Sequence, residues 1–267
     1  MRWDPTQYSR YADERGRPFL DLVARVGASE PRRVVDLGCG PGNLTALLPA
    51  RWPSAVVDGV DSSPEMIERA TSSVDGVAFR VGDATTWQMP GDCDVLISNA
   101  TLQWVPSHLE LLRSWSASLP SGGWLAIQVP GNFTSPSHTL MRSLAESERW
   151  SPLVGDVLRH DDAVGSPTSY AAVLLDAGLD VDVWETTYLH LLSGPDPVLE
   201  WVRGTGLRPV LAALAGRTVR VDGVVQQADQ AFSAEYAAAL RSAYPDTAHG
   251  TLFPFRRIFA VAHKRPR

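Results

Sequence analysis

Between Arg33 and Pro130 the chain alternates short apolar runs, rich in β-branched residues, with longer segments whose apolar positions recur at helical spacing. This pattern predicts strands at 33–38, 55–61, 77–83, 93–99 and 124–130, with helices starting near Gly42 and Pro64 and another across 107–118. Such alternation specifies a parallel sheet with helices on both faces, because right-handed crossovers leave few other topologies, and ligands then bind beyond the strand C-termini. Ahead of it, Leu20, Leu22, Val23 and Val26 after Pro18 give a helical apolar face that covers the sheet. After Pro130 the pattern predicts helices at 135–149 and 168–177, a long strand from Leu179 to Leu192 and a final strand from Phe255 to His263. Trp201, Val202, Leu207, Val210, Leu211 and Leu214 predict helices over the C-terminal edge of the sheet, and 216–228 a turn or small hairpin around Asp222-Gly223. The expected organisation is a cover at 1–30, a core at 31–193, a helical lid at 194–250 and a last core strand at 251–267, without internal repeats.

The first strand runs into Asp36-Leu37-Gly38-Cys39-Gly40-Pro41-Gly42, where glycines let a tight loop bring bare backbone N–H groups against a ligand. Asp61 ends the next apolar run, nineteen residues after Gly42, where a carboxylate can take two ribose hydroxyls. A dehydrogenase fingerprint would be Gly-x-Gly-x-x-Gly with a pyrophosphate on the helix N-terminus. Here the third glycine comes one residue early and Asn43 stands in the dehydrogenase position. Asp36 with Gly38, Gly40 and Gly42 instead resembles the first motif of the class I methyltransferases that bind S-adenosylmethionine. The resemblance implies an α/β, Rossmann-like, seven-stranded and mostly parallel sheet, with helices on both faces and a helical lid over its C-terminal edge. It also implies that Asp61 holds the ribose, that Asp83 and Ala84 flank the adenine, and that Asn99 lies beside the methionine moiety, with Gly38, Gly40, Asn43 and Ser62 completing the cofactor contacts.

Composition narrows the partners. The 267 residues are 44% hydrophobic and 20% charged, which is the make-up of an ordinary globular protein. A net charge of −6 without any Lys/Arg-rich block argues against nucleic acid, and no apolar stretch approaches the length of a membrane span. The N-terminus has no signal-peptide core, so the expected location is the cytoplasm. Cys39 and Cys93 lack paired metal-ligand spacing and read as packing residues, and no His/Asp/Glu cluster suggests a metal. Lys264 is the single lysine; the arginine bias has meaning only at particular positions.

Taken as a whole, though with no family signature at 150–167 and 216–228, the chain resembles the trans-aconitate 2-methyltransferases, which make a monomethyl ester of a tricarboxylate. The specific matches are Trp3-Asp4-Pro5 with Tyr8, Glu14-Arg15-Gly16-Arg17-Pro18, Trp201-Val202, Thr205-Gly206-Leu207-Arg208-Pro209 and Phe253-Pro254 before Arg256 and Arg257. Asp61-Ser62-Ser63-Pro64 and Asn99-Ala100-Thr101-Leu102-Gln103-Trp104 match as well, but are shared more widely. A carboxylate of pKa about 4 is ionised at neutral pH and needs no general base, so no catalytic residue is expected. The other carboxylates require pairing, for which Arg15, Arg208, Arg256 and Arg257 are candidates, with Trp3, Tyr8, Tyr11, Gln128 and Trp201 as walls or polar partners. Strand alternation allows only one of Arg256 and Arg257 to face the substrate. His108, His138 and His190 read as structural, and Trp104 reads equally as core or as adenine wall. Other acceptors, such as a malonyl thioester or a hydroxyl, and a non-catalytic sensor of S-adenosylmethionine are the competing readings; a monomer is the expected state.

Overall fold

The β-branched runs form the expected strands in a computed structural model that describes residues 12–158 and 161–266, the side chains of 12–15 and 161 excepted. In chain order the elements begin with α1 (Ala12–Ala24), β1 (Arg33–Leu37), a 3-10 turn at Thr45–Leu47 leading into α2 (Leu48–Arg51), β2 (Val56–Asp61), α3 (Pro64–Ser73) and β3 (Ala78–Val81). They continue with β4 (Cys93–Asn99), α4 (His108–Ser118), β5 (Trp124–Pro130), α5 (Pro136–Ala145), α6 (Ser151–Val154), α7 (Pro167–Asp176) and β6 (Asp180–Leu192). The remainder is α8 (Pro197–Arg203), α9 (Arg208–Leu214), β7 (Thr218–Val221), β8 (Val224–Gln227), α10 (Ala228–Ala243), β9 (Asp246–Thr247) and β10 (Gly250–His263).

The main sheet has the order β3-β2-β1-β4-β5-β10-β6, with β9 beside β10. Strands β3 through β5 pair in parallel, and β10 runs antiparallel to β5, from Arg257 opposite Pro130 to His263 opposite Trp124. Two compact units result: Met1–Pro130, Val164–Thr186 and Arg257–Arg267 form the first, Gly131–Ala163 and Thr187–Arg256 the second.

In the first unit one sheet face is apolar. Val35, Leu37, Val60, Leu96, Leu125, Ile127, Val129 and Ile258 bury with Leu112 and Trp115 of α4 and Tyr170, Val173 and Leu174 of α7. Since side chains alternate along a strand, the other face receives Asp36 opposite Ile97, Asn99 opposite Gln128, Gln128 opposite Phe259, and Arg257 opposite Pro130. The α1 helix packs on β5, burying its Phe19, Leu22 and Val23, and Val26 just beyond its end is buried as well. Close approach there requires Gly27, since a Cβ would lie 2.8 Å from the Trp124 ring.

The second unit has its own aromatic core: Trp150 meets Phe232 edge-on at 5.1 Å, and Trp201 lies among His190, Phe253 and Phe255. Two tyrosines hold the start of α5, Tyr244 accepting from the Ser137 N–H at 3.0 Å and Tyr236 donating to the Ser137 carbonyl. The hairpin expected around Asp222-Gly223 is present as β7–β8.

Three boundaries differ most from expectation. No helix starts at Gly42, because that residue holds φ +77° and the chain first turns as a 3-10 segment at Thr45. The helix expected at 135–149 stops at Ala145, and α6 begins afresh with Pro152 in its first turn, where a missing N–H costs nothing. The last strand begins at Gly250 instead of Phe255, because β9 gives its first residues a partner.

Candidate active site

The loop after β1 is shaped by glycine. Gly38 has φ +87°, and a Cβ there would stand 1.9 Å from the Thr101 hydroxyl, so only glycine lets the loop approach the β4 end this closely. The Gly38 and Cys39 amides donate to the Val60 carbonyl at 2.7 and 3.1 Å, tying the loop to β2. Asp61, at the end of β2, is held by two backbone donors: Gly40 N–H to Oδ2 and Ser63 N–H to Oδ1, each at 2.9 Å. Each oxygen retains a lone-pair direction for a ligand hydroxyl.

Asp36 lies beneath the loop, 2% exposed, accepting from the Thr45 hydroxyl at 2.7 Å. Burial pushes its pKa up to about 7, against the pull of that hydrogen bond and with the Asp61 charge adding to the rise. Asp83 behaves oppositely: its carboxylate accepts from the Thr85 hydroxyl and N–H at 2.7 and 2.8 Å, which hold its pKa below the ordinary value. Burial drives the Cys39 thiol far above its usual range, so it is inert packing.

These groups border a cavity of about 790 Å³. All nine residues expected to contact the cofactor (Asp36, Gly38, Gly40, Asn43, Asp61, Ser62, Asp83, Ala84 and Asn99) line it. Phe19, Thr101 and the run from Trp104 to Ser107 also line it. Of these, Trp104 was legible as a possible wall, whereas Val105, Pro106 and Ser107 carry no motif. Among the described residues, the lining contains the carboxylates of Asp36, Asp61, Glu65 and Asp83 and no lysine or arginine. A pyrophosphate would find no cation among these described residues, while a ligand bearing a sulfonium and an ammonium would find complementary charge. Asn99 Oδ1 is buried without a hydrogen-bond partner, a waiting acceptor for such a ligand. Ala100, next to it, is held at φ 53° by donating its N–H to the Gln128 carbonyl at 2.9 Å.

The wall at 105–107 is braced from behind. His108 Nδ1 bonds the Val105 carbonyl at 2.9 Å, and His108 Nε2 meets the Tyr170 hydroxyl at 3.0 Å. The carbonyl can only accept, so the proton is on Nδ1, Tyr170 donates to Nε2, and the Tyr170 oxygen accepts from Gly165 N–H at 3.1 Å. Burial holds the His108 pKa below its ordinary value.

The residues expected at the substrate are placed as follows. Gln128 is completely buried on the sheet face of Asn99, and neither its Oε1 nor its Nε2 has a hydrogen-bond partner. Arg257 lies on that same face, buried, whereas Arg256 alternates away and donates to the Gly131 carbonyl at 3.2 Å. Arg208 is half-buried at the first position of α9. Trp201 is 1% exposed within the aromatic core of the second unit. Arg15 lies on α1, its side chain outside the described residues; Trp3, Tyr8 and Tyr11 also lie outside them. Among the described residues no group of three or more His, Cys, Asp or Glu could hold a metal ion. No helix among them is long and apolar enough to cross a membrane.

A parallel Rossmann-like sheet with an acidic, glycine-edged cavity at its strand C-termini defines the class as a methyltransferase, and a methyltransferase domain model matches residues 10–182. The YcgJ protein of Bacillus subtilis shares this fold at a TM-score of 0.57, 17% identity, 94% of this chain and 100% of that one. Phosphoethanolamine N-methyltransferase 2 of Haemonchus contortus, solved with S-adenosyl-L-methionine, shares it at 0.52 and 17%, over 94% of this chain and 53% of that one. Among curated proteins, the trans-aconitate 2-methyltransferase of Streptomyces avermitilis is 54% identical over 98% of this chain and 97% of its own. That of Rhodococcus jostii is 53% identical over 97% and 98%. The chain belongs to the trans-aconitate 2-methyltransferase family.

Proposed function

We propose that this protein transfers a methyl group from S-adenosylmethionine to one carboxylate of trans-aconitate, giving a monomethyl ester and S-adenosylhomocysteine. The observation that carries this reading is the near full-length identity of 54% to a trans-aconitate 2-methyltransferase, which spans both units of the chain. The acidic cavity, lined by no lysine or arginine among the described residues, supports the cofactor half.

In this reading Asp61 takes the ribose hydroxyls, Asp83 and Ala84 border the adenine, and Asp36 and Asn99 face the methionine moiety. Gly38, Gly40, Asn43 and Ser62 close around the backbone of the ligand. When bound, the cofactor supplies a methyl group on a positively charged sulfur. The acceptor carboxylate is ionised without help from the protein, whose task is orientation and exclusion of water. Orientation of this kind can be worth about 7–11 kcal/mol. Arg15, Arg208, Arg256 and Arg257 are the candidate partners for the acceptor's charges, each charged hydrogen bond contributing about 1.5–3 kcal/mol. Gln128 offers both a donor and an acceptor with no other use in the fold. Trp3, Tyr8, Tyr11 and Trp201 complete the candidate contacts.

The test is the rate of S-adenosylhomocysteine formation with trans-aconitate, cis-aconitate, citrate and a malonyl thioester offered separately. The highest kcat/KM belongs to trans-aconitate if the reading is right. A malonyl thioester preferred over it would replace the acceptor, and cofactor binding without turnover on any acid would favour a sensor.

A further inference from the structure

The loop after β5 and the first turn of α5 hold a histidine whose two ring nitrogens have different surroundings. His138 Nδ1 stands 3.2 Å from the Ser137 hydroxyl and 3.4 Å from the side-chain nitrogen of Asn132. An amide nitrogen can only donate, so Nδ1 is an acceptor and the proton of the neutral ring is on Nε2. Burial pushes the pKa of this ring down to about 4, with the Arg142 charge adding to the fall, so the neutral form persists around pH 7.

Nε2 has no hydrogen-bond partner among the described residues. It is 3.4 Å from where a Cβ on Gly206 would lie, beside the Thr205–Arg208 stretch that leads into α9. The Phe133 ring meets the imidazole edge-on at 5.3 Å and fixes its plane. Arg256 reaches the same loop through the Gly131 carbonyl. Asn132, 1% exposed, carries a buried atom without a partner, its Oδ1. A buried polar atom left unanswered is costly in a folded protein unless a ligand answers it.

We propose that the Nε2–H of His138 is a specificity-determining donor to a carboxylate of the acid acceptor, held in that tautomer by Asn132 and Ser137. This role rests on the trans-aconitate reading. An uncharged donor recognises the carboxylate without adding to the positive charge of nearby arginines, and an acceptor lacking an oxygen at this point leaves the N–H unpaired.

Histidine-labelled protein should show a bare Nδ1 and a protonated Nε2 by nitrogen NMR, and the Nε2 signal should move when trans-aconitate is added with S-adenosylhomocysteine. His138→Phe should raise the KM for trans-aconitate about 10-fold or more, while His138→Gln, which presents an N–H at similar reach, stays within about threefold. Both should keep the parent's melting temperature and cofactor affinity. An unchanged KM in His138→Phe, equal losses in the two variants, or a proton on Nδ1 would overturn the role. Should His138→Phe fail to fold, the NMR titration decides alone, and an unmoved Nε2 signal contradicts the proposal. A parent inactive on trans-aconitate removes the functional reading itself, and this role with it; an active parent with unaltered His138→Phe kinetics removes the role alone.

Discussion

Burial of Asp36 beside Asp61 links the cofactor cavity to pH. The Asp36 pKa rises from 3.8 to about 7 in the fold. Its protonated form therefore contributes stability that is fully present below about pH 4 and is lost as pH rises through about 7, at about 1.4 kcal/mol per unit of difference. Asp36→Asn should remove this dependence, making the ligand-free protein melt higher than the parent at pH 8 while binding S-adenosylmethionine more weakly. Melting curves at pH 5 and pH 8 check it; parallel behaviour of the two proteins would show that Asp36 is ionised throughout. Gln128 allows a cleaner separation of fold from function. Gln128→Met removes two buried, unpartnered polar atoms, so it should stabilise by about 1 kcal/mol while lowering kcat/KM for the acid acceptor at least tenfold. Loss of stability in that variant would mean the amide is serving the fold.

Among elements, the segment from Trp104 to Ser107 depends on the pair His108 and Tyr170. Tyr170→Phe leaves His108 Nε2 and the Gly165 N–H without their partner. The expected cost is about 1–3 kcal/mol of stability, with weaker cofactor binding because the wall at 105–107 loses its brace. Calorimetry of unfolding and of cofactor binding measures both. The parent should also lose stability as pH falls below about 6.5, since burial lowers the His108 pKa and the unfolded chain takes up the proton first. At this scale the sequence was a good guide where structure is local. The five parallel strands and α3 follow from β-branched runs and from Ser63-Pro64, whose serine caps the helix by accepting from Met66 N–H at 3.3 Å. The late start after Gly42 was hidden, because a glycine that breaks a helix and one that admits a ligand look alike until φ is known.

For the whole molecule, legibility follows contact range. The nine expected cofactor residues lie at consecutive strand ends of a parallel sheet, so strand order alone brings them to one cavity. The sheet face that Arg257 takes needed the register of β10 on β5, which puts it opposite Pro130 and on the face of Gln128. The tautomer of His138 needed Asn132 and Ser137 in space, and no spacing rule supplies it.

The central claim is that this chain moves a methyl group from S-adenosylmethionine to a carboxylate of trans-aconitate. Incubation with cofactor labelled by deuterium in its methyl group, followed by mass spectrometry of the acid, tests it directly. One labelled methyl on trans-aconitate, as an ester that alkali cleaves to labelled methanol, is the predicted result. Bound cofactor with unlabelled trans-aconitate, at enzyme concentrations that methylate another acceptor, would contradict it.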